Sequence, residues 1–88
     1  YLESKYIYVP TGKTWRVTDW DWSYDISRMY YPQIELDNGY IINVNRAVSE
    51  GYCIPGGHSF KIKTPTMYSS DGSYYNYSLS VSFHEDDY

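Results

Sequence analysis

Near the C-terminus apolar residues fall at every second position: Tyr75, Tyr77, Leu79, Val81 and Phe83, with Asn76, Ser78, Ser80, Ser82 and His84 between them. Successive side chains of a strand point to opposite faces, so this run predicts a strand over Tyr74–His84 with one core face and one wet face. No segment of helical length shows the i, i+3, i+4 spacing of an amphipathic helix. The chain therefore reads as all-β.

The middle of the chain predicts a hairpin. Ile34 and Leu36 alternate with Gln33 and Glu35, Asp37-Asn38-Gly39 interrupts, and Tyr40–Asn45 follows. A two-residue turn would set Ile34 opposite Asn43 and mix the faces. A three-residue loop sets Leu36 opposite Tyr40, Ile34 opposite Ile42 and Gln33 opposite Asn43, with Gly39 at the left-handed position. The second register keeps one face apolar and is the one expected.

An internal echo adds two corners. Tyr8–Val17 matches Cys53–Ile62 in the pattern aliphatic-Pro-x-Gly-x-hydroxyl-aromatic-basic-aliphatic. Proline pre-sets a turn, glycine relieves it, and a new strand begins, so each copy reads as strand, tight turn, strand. The echo arises either from convergent turn chemistry or from two similar corners of one sandwich. Strands are expected at Lys5–Val9, Lys13–Trp22, Gln33–Leu36, Tyr40–Asn45, His58–Lys63 and Tyr74–His84. Arg46–Tyr52 and Thr64–Ser73 read as loops, and Ser23–Pro32 has no clean period. The fold expected is a small antiparallel β-sandwich, jelly-roll-like, of about six to seven strands, forming one domain over residues 1–88.

Thirteen tyrosines and three tryptophans accompany this pattern. Tyrosine suits a pleated surface and gives contact area at low entropic cost, so the bias favours strands and contact faces together. Cys53 is the only cysteine, which leaves a tight core or oligomerisation to supplement the modest margin of so short a chain. The net charge of −4, with scattered lysines and arginines, argues against nucleic acid. No apolar run approaches the roughly 20 residues of a membrane-spanning helix, so no membrane insertion is expected.

Candidate binding residues cluster at Asp19-Trp20-Asp21-Trp22-Ser23-Tyr24-Asp25. The alternating oxygens resemble the start of a calcium loop, yet Tyr24 stands where glycine is needed and Tyr30 where a bidentate glutamate belongs. The segment is read as a hydrated strand end with no metal. Trp15 and Val17 lie on odd positions and Trp20 and Trp22 on even ones, so the apolar face changes sides near Asp19. A β-bulge there makes both tryptophans core residues. Without one they form an exposed platform beside acidic groups. Trp20, Trp22, Tyr24, Asp19 and Asp21 are therefore the tentative ligand-binding set.

No catalytic set is apparent. His58 follows a turn, His84 lies on a polar strand face, Cys53 reads as a small buried filler, and Glu85–Asp87 read as a solvated acidic tail. No enzyme activity and no cofactor are expected. Asn76-Tyr77-Ser78 fits a glycosylation acceptor pattern.

The segment Ile7–Thr18, with its strand, Pro-x-Gly-Lys-Thr corner and second strand, resembles the opening of small β-sandwich domains of bacteriophage virion and fibre proteins and of bacterial surface proteins. The later Ile54-Pro55-Gly56-Gly57 corner and the closing alternating strand extend the likeness. It implies a jelly-roll-like sandwich at a virion or cell surface, outside the cell, often a homotrimer. The expected role is a structural or adhesion module that meets its own copies or a protein or glycan surface. The alternative is a carbohydrate-binding module of a larger secreted protein.

Overall fold

The computed structural model describes residues 2–22, 31–64 and 79–87, with the backbone alone at Leu2 and Trp22. Tyr24, Asp25, the Asn76 acceptor pattern, residues 65–73 of the expected loop and the Tyr74–Ser78 part of the expected last strand lie outside these residues. Two antiparallel sheets form the fold.

The first sheet holds β1 (Leu2–Glu3), β2 (Ile7–Tyr8), β4 (Gln33–Leu36), β5 (Ile41–Asn43) and β7 (Ser59–Thr64). β1 and β2 follow one edge of β7, with Leu2 opposite Thr64 and Ile7 opposite Phe60. The register slips by one residue between them, so they are two halves of one interrupted edge strand. The second sheet runs β6 (Cys53–Pro55), β3 (Lys13–Trp22), β8 (Leu79–Asp87). Four strand positions face three, in agreement with the sandwich expected.

The core lies between the sheets. Ile34, Leu36, Ile42 and Phe60 contribute from the first and Val17 and Ile54 from the second, each no more than 4% exposed. Burying such side chains contributes about 1.5–3 kcal/mol apiece before entropy is counted. The hairpin adopts the three-residue register: Gln33 faces Asn43, Ile34 faces Ile42, and the Leu36 amide donates to the Tyr40 carbonyl at 2.8 Å. Gly39 holds φ +90°.

The two echoed corners meet each other. β2 pairs with β7 and β3 with β6, so the first copy pairs antiparallel with the second across both sheets. An exact two-fold would set Thr14 opposite Cys53. It stands opposite Pro55, a slip of two residues that leaves the faces unchanged. The Gly57 amide donates to the Val9 carbonyl and the Val9 amide to the His58 carbonyl, both at 2.9 Å. A Cβ on Gly56 would lie 2.3 Å from the Lys13 carbonyl oxygen and 2.5 Å from that of Pro10. Glycine is required there because the other corner's backbone occupies the space.

A bulge in β3 explains the change of apolar face. Val17 pairs with Phe83 and Asp19 with Ser82, leaving Thr18 as the extra residue, its hydroxyl donating to the Ser82 carbonyl at 3.2 Å. Trp15 and Val17 before it, and Trp20 after it, therefore pack on the same core.

Four expectations are corrected. Cys53, expected as a small buried filler, is exposed on β6, where its neighbour Ile54 takes the core position. The strand expected over Tyr40–Asn45 stops at Asn43, and the loop expected over Arg46–Tyr52 is instead mostly helix, α1 (Val44–Glu50). Val44, Ala47 and Val48 supply an apolar stripe at i, i+3, i+4, while Gly51 at φ +63° ends the helix. The Gly51 amide donates to Val48 and the Tyr52 amide to Ala47, a Schellman closure. The helix carries the chain from β5 of one sheet to β6 of the other. The Glu85–Asp87 segment is likewise no free tail: β8 continues through it, with Asp87 opposite Lys13.

Candidate contact surfaces

The expected ligand set is divided between faces. Asp19 and Asp21 are exposed on the outer side of the second sheet. Asp19 Oδ1 accepts the Trp20 amide at 2.8 Å, a local contact that steadies the chain just after the bulge. Trp20 is half-buried against the core, with its ring edge-on to Tyr31 at 6.2 Å and 74°. Trp20 is thus not a flat platform beside the aspartates. The register places Trp22 opposite Leu79, and Tyr24 lies outside the described residues.

The outer side of the first sheet gathers different residues. Phe60 and Ile62 turn to the core, so Ser59, Lys61 and Lys63 turn outward, and the same alternation on β4 turns Gln33 and Glu35 outward. Lys61 Nζ lies 3.1 Å from Glu35 and 3.3 Å from Glu3, and Lys63 Nζ lies 3.5 Å and 3.7 Å from the same two carboxylates. Each acid thus meets both bases. The Glu35 hydrogen bond holds the Lys61 ammonium above its ordinary pKa, and the Lys61 contact holds the Glu35 carboxyl below its own. These side chains are sunk into the surface: Lys61, Lys63 and Glu35 are 16–19% exposed.

Apolar groups frame this quartet. Tyr6, Tyr8 and Ile41 are 55%, 54% and 43% exposed, and Lys61 Nζ sits 5.3 Å from the Tyr6 ring centroid. The Tyr8 hydroxyl shares a hydrogen bond with the Thr11 hydroxyl at 2.9 Å, which fixes its direction. Sequence reasoning missed this face. The signal was present in the alternation of Lys61 and Lys63 with apolar residues, but their acidic partners are fixed only by which strands flank β7.

A second feature lies at the corner end of the β3–β8 ribbon. Along one side of the ribbon the rungs run Val17–Phe83, Trp15–Glu85 and Lys13–Asp87, with Glu85 and Asp87 exposed. Trp15 packs edge-on to Phe60 at 6.1 Å and tilted against Phe83 at 5.6 Å. Its indole N–H donates to Glu85 Oε1 at 3.0 Å. A shallow cavity of about 360 Å³ is lined by Trp15, Phe83 and Glu85. Beside it Lys13 and Asp87 pair directly, and their hydrogen bond raises the lysine pKa and lowers the aspartate.

Comparison with protein-family models, curated proteins and solved structures finds no match to this chain. Its surfaces are read from their own chemistry.

Proposed function

We propose that this domain is a non-catalytic structural module of a virion or cell surface that assembles with copies of itself through the outer face of the first sheet. The observation that carries this reading is the Tyr6–Tyr8–Ile41 frame around the Glu3–Lys61–Glu35–Lys63 quartet. Apolar area supplies a driving force for association, and tyrosine combines that area with a polar tip, which is why it is enriched in interfaces. Burying charge is costly unless it is already paired. Two acids and two bases that neutralise one another leave little net charge for a partner to compensate. A second copy brings the same balanced pattern, so no oppositely charged partner is required. The likeness to fibre and surface domains favours three copies.

Light scattering with sedimentation over a wide concentration range tests the reading. Wild type is expected to form a homo-oligomer. The double variant Tyr8→Glu/Ile41→Lys changes only exposed side chains and is expected to weaken association at least tenfold while leaving the thermal midpoint nearly unchanged. A monomer at every concentration, or an oligomer indifferent to the variant, overturns it.

A further inference from the structure

Glu85 and Asp87 follow Leu79, Val81 and Phe83 on one side of β8, beyond the point where the burial alternation ends and the strand opens to solvent. Glu85 is nevertheless held at the mouth of an aromatic cavity by the Trp15 indole N–H. We propose that the Trp15–Phe83–Glu85 cavity is a binding site for a single neutral pyranose ring.

The chemistry of the cavity selects that ligand class. Its floor is aromatic, and the C–H face of a pyranose presents apolar area of matching kind. Glu85 uses one oxygen for the Trp15 indole N–H and retains acceptor capacity for vicinal hydroxyls. Lys13 and Asp87 at the rim supply a donor and an acceptor whose charges cancel. A phosphate or other anion would meet the Glu85 carboxylate, and a purely apolar ligand would leave that carboxylate unsolvated. The cavity's volume falls at the small end of ligand sites, and its openness to solvent suits one ring at an oligosaccharide end. One ring in a shallow site binds weakly. Repetition of the site in an assembly would multiply it, although the site itself is complete in one chain.

The test is a ¹H–¹⁵N titration of the ¹⁵N-labelled domain with millimolar glucose, galactose, mannose and N-acetylglucosamine, and separately with choline chloride. At least one sugar is expected to shift the Trp15 indole N–H signal and the Glu85 amide. Glu85→Gln alters an exposed side chain, keeps an acceptor for the indole, and is expected to weaken binding at least tenfold. Trp15→Phe, which retains an aromatic ring against Phe60 and Phe83, is expected to abolish it, whereas Trp20→Phe leaves it unchanged. The idea fails if no sugar shifts these signals, if the shifts centre on Trp20, or if choline alone perturbs the cavity. Because the site is complete in one chain, the titration succeeds or fails independently of self-assembly.

Discussion

Gly56 shows how one atom decides a corner. The two backbone oxygens that a Cβ would strike cannot rotate away as a side-chain end could. Gly56→Ala therefore forces the corners apart, and overpacking of this kind costs about 1–3 kcal/mol. Gly39→Ala provides the contrast, because nothing lies within 4 Å of its Cβ and only the positive φ opposes it. That variant should lose about 1–2 kcal/mol. Chemical denaturation compares the two, and in Gly56→Ala the loss should be accompanied by weakened amide protection at Val9 and Gly57. Asp37 is a second such residue. Its carboxylate accepts the Ser59 amide at 2.9 Å and lies 3.1 Å from His58 Nδ1, tying the hairpin turn to the second corner. The Ser59 hydrogen bond, then His58, hold its pKa below the ordinary 3.8. A carboxyl lowered by folding contributes stability above its unfolded pKa, and the contribution is lost as pH falls through the folded value. Thermal melts from neutral pH downward should show Asp37→Asn less stable at neutrality and with a shallower acid decline than wild type.

At the scale of elements, the bulge and the helix separate what the sequence could reveal from what it could not. The face change is visible as a broken alternation near Asp19, which left a bulge and an exposed platform as the two readings, and the pairing register decides for a bulge at Thr18. Deleting Thr18 should leave a regular strand in which Val17 and Trp20 still share the core face. Tryptophan emission close to that of wild type is the expected result, and a red shift marking an exposed Trp20 would contradict it. The hairpin register was legible, since only one pairing kept Ile34 and Ile42 on one face. The helix was not. Val44 continues the alternation of Ile42, and seven residues offer only one repeat of helical spacing, so period two and period 3.6 compete over the same residues. Gly51 was the informative residue, because a left-handed closure marks a helix end. The outer face of the first sheet was illegible for a different reason: Glu3 and Lys61 are 58 residues apart, and only the strand order brings them together.

For the whole molecule, two sheets joined by interlocking corners and one bridging helix leave a small core with little redundancy. Phe60 is fully buried and packs against both Trp15 and Phe83, so it links the sheets. Phe60→Ala should cost about 3–5 kcal/mol. That is a large share of the roughly 5–15 kcal/mol that holds a typical domain folded. Calorimetry should show a strongly lowered midpoint or no transition. A margin of this size makes burial of the framed outer face against further copies energetically consequential. Hydroxyl-radical footprinting at rising protein concentration tests that claim most directly. His84, 56% exposed on the outer side of the second sheet, serves as the internal reference. Assembly through the first sheet predicts that labelling of Tyr6, Tyr8 and Ile41 falls as concentration rises while His84 stays constant. Constant labelling at all four residues, or protection of His84 in place of the tyrosines, contradicts it.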